Sequence, residues 1–594
     1  MPMPRRRPPW SSGETMSEHA HGHEEHSFWR TYVFSVDHKV IGLQYLITSL
    51  LFLLFGFTLV LLMRWQLAFP GQPLPLLGRL LSPEAAPGGV IGPMFYNQLG
   101  AMHGTIMVFL GIVPLAVGAF GNYVMPLQIG APDMAFPRMN MMSYWVYLPG
   151  GLLMLLSFLL PGGAAQSGWT SYPPLSVINP GQTMWLVSMV FLITSSLLGS
   201  LNFIVTILNM RAPGMTLGRM PVFVWAQFVT AFLLLLAFPP LEAASILQLM
   251  DRVFHTSFYM PAGLVIGGQT TPWTGGGQSL LWQHLFWFLA HPEVYVLVLP
   301  PMGIVAEIIA VNTRKPLFGY KELVGSMAFI GVMSFVVWAH HMFLSGMSTT
   351  LSNFFLVTTM IISVPSVAVL TCLILSLKGA SIRFTTPMLF ALAFLPLFGI
   401  GGLTGLPLGL TVTDIYLHDT YYVIGHFHYV VVTGSLIALF AGTYHWFPKW
   451  FGRKLDDRLG KIHFWGTTVA MNGIFLPMFI IGMQGQSRRL YDPTAHLHNL
   501  VGQPMHVVST VSAFVLLIFQ LPFIYNFFNS IFNGEKVDSN PWKATTLEWQ
   551  CPSPPPHGNF ASVPRVHRGP YEYSDPAHKD DWLPQDAEKA VAPV

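Results

Sequence analysis

Long uninterrupted runs of apolar residues are the feature that most constrains how this chain can fold. A helix needs about 20 consecutive apolar residues to cross the hydrocarbon core of a bilayer. Charged residues make up 9% of the 594 residues, against roughly 25% in soluble domains, so a soluble protein is excluded. Candidate spans lie near residues 40–64, 100–127, 141–162, 183–209, 222–246, 280–311, 322–345, 354–377, 387–409, 420–446, 464–484 and 505–530. The sequence therefore predicts an all-α integral membrane protein with twelve transmembrane helices.

The distribution of basic residues predicts the orientation of these helices. An even number of spans places both termini on one side, and Lys and Arg accumulate in cytoplasmic loops. The first tail and the even-numbered connections are rich in them, whereas the odd-numbered connections hold few beyond Arg79, Arg252, Arg488 and Arg489. We therefore expect both termini to be cytoplasmic. The chain then divides into a cytoplasmic N-terminal tail (1–36), a helical membrane domain (37–531) and a cytoplasmic Pro-rich C-terminal tail (532–594).

Histidines in the predicted spans point to metal binding. An ionisable side chain inside a membrane is costly, so each one calls for a functional explanation. With the orientation above, six histidines fall at a similar depth towards the outer face: His103, His291, His340, His341, His426 and His428. The chain has only two cysteines, which are too far apart in setting for a thiolate cluster. Imidazole suits iron and copper, so we expect histidine-bound metals of this kind.

The spacing of the histidines divides them among several metals. Residues two apart on a helix point about 200° away from each other, so His426 and His428 cannot serve one ion but can bind two centres on opposite sides of one helix. His340 and His341 are only about 100° apart and end a span, so both can reach one ion, with His291 as a third ligand. Three histidines leave a coordination position open, as in a reactive metal site.

Four motifs resemble one known family. They are HPEVY at 291–295, WAHHMF at 338–343, IGAPDMAFPRMN at 129–140 and LHDTYYVIGHFHYVV at 417–431. Together they resemble subunit I of the haem-copper oxidases of the cytochrome c oxidase type, over a match from about Asp37 through Phe560. The resemblance implies a terminal respiratory oxidase of a bacterial inner membrane. Such an enzyme reduces O₂ to water at a haem and copper binuclear centre, with electrons from cytochrome c, and pumps protons.

The resemblance also implies roles for the histidines and for one tyrosine. The implied ligands are His103 and His428 for a low-spin haem iron, His426 for a high-spin haem iron, and His291, His340 and His341 for copper. Tyr295 lies four residues after His291 on the same helical face. In the family the two residues are covalently joined, and the tyrosine supplies an electron and a proton when the O–O bond breaks.

Further residues are implied to hold cofactors. Arg64 looks like the arginine that pairs with the formyl group of haem A, and Arg488 and Arg489 look like the pair that binds haem propionates. His418 and Asp419 resemble an outer magnesium or manganese site that takes an acidic ligand from another subunit. The implied partners are a subunit II with a dinuclear copper site, a subunit III and small subunits.

A proton route from the cytoplasm is implied as well. Asp133 matches the entry of the family's aspartate channel, and Glu293 matches the buried glutamate that passes protons to oxygen chemistry or to an outer loading site. Polar residues expected between them are Asn122, Asn140, Ser195, Ser196 and Asn202.

The family's second proton channel is altered in this sequence. Where the family has a lysine in the eighth span and a serine below the tyrosine, this chain has Val369 and Ala306. We expect a substitute wire of water, hydroxyls and one carboxyl, with Ser366, Thr359, Thr404 and Glu307 as its members.

Three other functions are compared with this one. A nitric oxide reductase on the same scaffold is disfavoured by Tyr295, because those relatives lack it. A quinol oxidase stays open, because the copper site that distinguishes it lies in a partner subunit. A secondary transporter without cofactors, in which the histidines relay protons, predicts a colourless protein.

Overall fold

The computed structural model describes residues 27–271, 275–495, 501–575 and 578–588. The first 26 residues of the predicted N-terminal tail lie outside these ranges. Twelve helices, named α1 to α12 in chain order, correspond to the predicted spans. They are α1 (His38–Ala68), α2 (Pro93–Ile129), α3 (Pro137–Leu159), α4 (Gln182–Asn209), α5 (Val222–Val253), α6 (Ser279–Thr313), α7 (Tyr320–Ser334), α8 (Thr349–Ser376), α9 (Thr386–Gly409), α10 (Tyr421–Phe451), α11 (Asp457–Met483) and α12 (Gln503–Asn533).

Eleven of these helices are long and apolar enough to cross a membrane, and α7 is the exception. At 1.5 Å per residue its 15 residues span about 22 Å, which is less than the hydrocarbon core. The chain then changes to a 3₁₀-helix over Trp338–Met342. The all-α membrane fold is confirmed, but the seventh span is not the single full-length helix that the apolar run 322–345 predicted. The change to a 3₁₀-helix turns the end of this segment towards α6. The two adjacent histidines of the 3₁₀-helix, His340 and His341, therefore lie beside α6.

Helices α2 and α6 form the centre of the bundle. In their most apolar windows 83% and 89% of the residues are buried, whereas α12 at the periphery has 28%. Helix α2 widens into π-helical turns over Ile106–Ile112 and Pro114–Gly121, and α10 does so over Val431–Leu436. Such wide turns are frequent at functional sites, and both helices carry candidate ligands.

The predicted C-terminal tail packs against the helix ends on one side of the bundle. Asp581 accepts two hydrogen bonds from Arg314, which follows α6, and the Cys551 carbonyl accepts one from Lys449 near the end of α10. Asn559 contacts His38 at the start of α1. Odd-numbered helices begin on this side and even-numbered helices end on it, so the C-terminal segment and the start of α1 share one face.

Two short strand pairs complete the fold. Val265–Ile266 pairs antiparallel with Gln269–Thr270 in the connection between α5 and α6. Arg453–Lys454 pairs antiparallel with Glu535–Lys536, which ties the end of α10 to the start of the C-terminal segment.

Candidate metal centre

Three histidines converge where α6 meets the 3₁₀-helix. One ligand nitrogen from each of His291, His340 and His341 lies within 4.8 Å of the others, and Nδ1 of His291 is 3.3 Å from Nε2 of His341. Two nitrogens bound at about 2.0 Å to one tetrahedral ion are themselves about 3.3 Å apart. The predicted trio is therefore assembled, with His291 and His341 at the spacing that a single ion requires.

The surroundings of the trio orient its rings. Nδ1 of His340 is 2.9 Å from the Thr359 hydroxyl on α8, which leaves Nε2 of His340 as the nitrogen available to a metal. The Trp287 ring stacks on His341 at 3.8 Å between centroids, and its indole N–H donates to the Tyr172 hydroxyl. Sequence reasoning missed Trp287, although it lies four residues before His291 and so on the same helical face.

A cavity of about 1050 Å³ extends from this trio into the interior of the bundle. It reaches the upper end of the range for ligand pockets, so it has room for large cofactors. The candidate residues in its walls are the six histidines His103, His291, His340, His341, His426 and His428, together with Arg64, Arg488, Arg489, Glu293, Tyr295, His418 and Asp419. The predicted metal- and cofactor-binding residues are therefore brought together in one space, whereas Asp133 and Glu307 do not line it.

The other three histidines of this set share one hydrogen-bonding arrangement. In each, Nδ1 lies at hydrogen-bonding distance from a backbone carbonyl: His103 from Gly56 at 2.8 Å, His426 from Gly401 at 2.9 Å and His428 from Ile424 at 2.8 Å. A ring that donates its Nδ1 proton presents Nε2 as a metal ligand, and such carbonyl contacts are typical of metal-bound histidines. The donor set therefore fits iron bound through Nε2.

Helix α9 comes unusually close to His426. A Cβ added at Gly405 would lie 2.7 Å from Cε1 of the imidazole, so a larger residue there would push the ring out of place. The Thr404 hydroxyl lies 3.3 Å from Nδ1 of the same ring.

Arg64 is a buried cation with unused donors. Its Nη2 donates to the His506 carbonyl at 2.9 Å, but Nε and Nη1 have no partner among the described residues. Buried donors of this kind require an acceptor, and Arg64 lines the cavity, so the site fits a ligand with an oxygen at this point. Sequence reasoning missed His506, which opens α12 at the same outer level and whose Nε2 contacts the Gln486 side chain at 2.8 Å.

The outer rim of the cavity is strongly charged. Arg488 pairs with Asp419 at 2.5 Å, and Arg489 donates to the Thr170 hydroxyl at 3.2 Å. Burial alone would raise the pKa of Asp419, but the neighbouring charges, of which Arg488 is the strongest, together with the Arg488 hydrogen bond outweigh burial, so that pKa is lowered. Burial and the neighbouring guanidinium lower the pKa of Arg489 to about 10, which still leaves the side chain charged at neutral pH.

The two residues predicted to bind magnesium or manganese, His418 and Asp419, contact different partners in this rim. His418 contacts Asp414 at 3.2 Å, while Asp419 is engaged by Arg488. Within the part of the chain that the structure describes, one group of three or more His, Cys, Asp or Glu residues lies close enough together to hold a metal ion. This group is the histidine trio.

The buried glutamate and the tyrosine lie beside the trio on α6. Glu293 is 1% exposed, and neither of its carboxyl oxygens has a hydrogen-bond partner among the described residues. A buried carboxyl without a partner is costly, so it needs a proton, water or both. The Tyr295 ring lies 5.0 Å from the His291 ring, and Nε2 of His291 is buried and unpartnered.

The residues of the predicted aspartate route differ in what they bind. Asp133 lies in the loop after α2, where burial is the main cause that raises its pKa. Asn140 has both amide atoms unpartnered, and Asn122 has its amide oxygen unpartnered. Asn202 instead bonds both backbone atoms of Phe136, as a structural residue would. Of the other two residues predicted for this route, Ser195 donates a hydrogen bond to the Ser143 carbonyl and Ser196 is half-buried.

The residues of the predicted second route do not form one hydrogen-bonded chain among the described residues. Ser366 donates to the backbone carbonyl of Ile362, while Thr359 and Thr404 contact candidate metal ligands. Val369 and Ala306 are fully buried. Glu307 does not line the cavity. Its carboxyl accepts hydrogen bonds from the Phe223 N–H at 3.1 Å and from the Tyr571 hydroxyl at 2.6 Å.

Comparison with known proteins decides the family. A family model described as "Cytochrome C and Quinol oxidase polypeptide I" matches residues 40–515. The chain belongs to this family. It is therefore a membrane-embedded haem-copper oxidoreductase, as the motifs predicted.

Several relatives of the haem-copper oxidase family are similar along nearly their whole length. Cytochrome c oxidase subunit 1 of Synechocystis sp. is 45% identical over 548 residues, which cover 92% of this chain and 93% of the relative. Alternative cytochrome c oxidase subunit 1 of Bradyrhizobium diazoefficiens is 43% identical over 575 residues, 94% and 93% of the two chains. A solved haem-copper terminal oxidase dimer shares the fold with a TM-score of 0.66 at 19% identity, over 84% of each chain.

Proposed function

We propose that this chain is the catalytic subunit I of a terminal respiratory oxidase that reduces O₂ to water and couples the reaction to proton pumping. The observation that carries the proposal is one cavity in which three histidines converge and three more present Nε2 towards its interior. When bound, haem iron and copper supply electron transfer and O₂ binding, which side chains alone cannot provide.

The histidines hold the metals in the roles that the resemblance implied. His103 and His428 would hold a low-spin haem iron, and His426, on the other side of α10, would hold a high-spin haem iron. His291, His340 and His341 would hold the copper ion. Because His426 and His428 are two residues apart on one helix, the two haem sites are close neighbours.

Charged residues fix the cofactors. Arg64 donates its unpartnered N–H groups to a polar substituent of the low-spin haem, which favours haem A with its formyl oxygen. Arg488 and Arg489 lie where propionates would reach the outer rim, and Arg488 also has an unpartnered Nε. Guanidinium groups bind carboxylates with paired hydrogen bonds, so this assignment matches their chemistry.

Protons reach the centre along a route that begins at Asp133. Asp133 takes up protons at the loop after α2, and water held by the unpartnered Asn122 amide oxygen and by the Asn140 amide passes them towards Glu293. The Glu293 carboxyl holds a proton without competing hydrogen bonds and releases it towards the trio. Tyr295 adds the proton of its phenol hydroxyl, and Nε2 of His291 has no partner among the described residues. A covalent link at this nitrogen would replace its N–H bond and a ring C–H bond of Tyr295, with O₂ taking up the two electrons and two protons.

Other subunits complete the enzyme. His418 and Asp419 form a magnesium or manganese site only with an acidic ligand from a subunit II, which also carries the dinuclear copper site. A subunit III and small subunits surround the helices. The basic residues of the even-numbered connections support cytoplasmic termini in a bacterial inner membrane.

Optical spectra and oxygen consumption of the purified complex test the proposal. We expect Soret and α bands of haem, and O₂ uptake that depends on reduced cytochrome c. Uptake with a quinol but not with cytochrome c would identify a quinol oxidase instead, although the names of the relatives favour cytochrome c. A colourless complex would refute both and favour a transporter.

A further inference from the structure

Glu242 is a partly exposed carboxyl residue within the apolar span α5. It is ten residues before Arg252, whose guanidinium donates to the Ser176 carbonyl in the loop after α3 and so marks the outer end of α5. Ten helical residues correspond to about 15 Å, which is half the thickness of the hydrocarbon core. Glu293 and Glu307 are 1% and 2% exposed, but Glu242 is only half-buried.

The bundle offers Glu242 a single partner. Its Oε1 accepts the Thr194 hydroxyl of α4 at 2.9 Å, and no other hydrogen bond or ion pair of this carboxyl occurs within the described ranges. Helix α4 contains no Lys, Arg or His, and the only basic residue of α5 is Arg252. The proposed proton routes do not use Glu242, and it does not line the cavity. An intramembrane carboxyl of this kind is costly without a counter-charge.

The surface around Glu242 is partly exposed and largely apolar. We call it the α4–α5 seam; it consists of Thr194, Gly199, Leu201, Glu242, Ala243 and Ile246. Leu201 and Ile246 are 42% and 45% exposed, and a Cβ at Gly199 would meet nothing within 4 Å. Small residues beside a polar group are typical of faces where membrane helices approach each other closely.

We propose that the α4–α5 seam docks a transmembrane helix of another subunit of the same complex, and that this helix pairs an Arg or Lys with Glu242. Charge complementarity identifies the occupant. The carboxylate needs a cation at the midplane, and lipid headgroups lie about 15 Å away. A helix supplies the cation while its backbone bonds stay satisfied inside the membrane.

Photo-cross-linking in membranes that contain the assembled complex tests this inference. Ala243→p-benzoylphenylalanine places the reactive group one residue from Glu242. We expect a cross-link to one membrane-spanning peptide of another subunit that contains Arg or Lys, with a yield about tenfold lower when Glu242→Gln is added. The control is the same amino acid at Val469 of α11, which is 66% exposed and whose cross-links should not depend on Glu242. Haem absorption of each variant reports that the complex has folded.

A second measurement needs no substitution. Dicyclohexylcarbodiimide attacks protonated carboxyl groups from within the bilayer, so an ion-paired and covered Glu242 should stay unlabelled in the intact complex. Labelling of Glu242 there would overturn the proposal, since it would show a neutral carboxyl facing lipid. Cross-links to lipid alone, to a peptide without Arg or Lys, or with an unchanged yield in Glu242→Gln would overturn it as well.

Discussion

Replacing Thr359 by valine separates two roles that this residue can have. The sequence suggested a place in a proton wire, but in the structure the Thr359 hydroxyl lies 2.9 Å from Nδ1 of His340. Valine has the shape of threonine without the oxygen, so the imidazole would keep its space and lose its acceptor. We therefore expect Thr359→Val to weaken copper binding before it affects proton delivery.

The size of the effect follows from the lost hydrogen bond. A buried N–H left without an acceptor costs about 1–3 kcal/mol. Since about 1.4 kcal/mol corresponds to a factor of ten in affinity, copper should bind roughly 5 to 150 times more weakly. Loss of a hydrogen bond to a metal ligand typically costs a factor of about 10–100 in affinity, which falls in the same range.

The assay is metal content after dialysis against graded concentrations of a copper chelator. Thr358→Val is the matched control, because the neighbouring Thr358 hydroxyl bonds only backbone carbonyls, including that of Val336. Haem content should be equal in both variants. If Thr359→Val retained copper as firmly as Thr358→Val but showed slower reduction of the binuclear site, the positioning role would be refuted and the wire supported.

Three further predictions concern protons and the C-terminal segment. Glu307→Gln keeps an acceptor for Tyr571, so we expect intact haem content and slower reduction of the binuclear site; unchanged stopped-flow kinetics would remove Glu307 from the pathway. Asp133→Asn should slow proton uptake at every pH, as measured with an indicator dye, and an unchanged rate would contradict the proposed entry. The hydrogen bond from Arg314 lowers the pKa of Asp581, so its stabilisation is present above the ordinary aspartate pKa and is lost as pH falls through the lowered value. Limited proteolysis should therefore cut the C-terminal segment of the wild type faster only in strong acid. The same segment of Asp581→Asn should be cut faster at neutral pH as well. Equal rates of cleavage for the two proteins at neutral pH would contradict a stabilising role of the contact between Arg314 and Asp581.

Most of the membrane helices could be predicted because lipid imposes a simple requirement on sequence. A long apolar run has to be a helix there, and histidines inside such runs are too costly to be incidental. The seventh span was predicted as one continuous helix because residues 322–345 are mostly apolar, and no Pro marks the change to a 3₁₀-helix at Trp338. That change depends on packing against α6, which local composition does not encode.

Long-range contacts were also beyond sequence reasoning. Arg64 and His506 are 442 residues apart in the chain, and neither has a local pattern that indicates the other. The Pro-rich composition of residues 532–594 suggested a tail, yet Trp549 and Tyr573 are buried against helix ends. Their anchoring depends on the shape of the inner face, which exists only after the helices have assembled.

The most direct test of the central claim is the number of metal ions in the purified complex, normalised to this chain and corrected for haem and copper in partner subunits. The account predicts two haem irons and one copper per chain, with copper lost on substitution of His340 and the low-spin haem signal lost on substitution of His428. A preparation of the folded complex with no iron in this chain, or with copper retained after His291, His340 and His341 are all replaced by alanine, would contradict it.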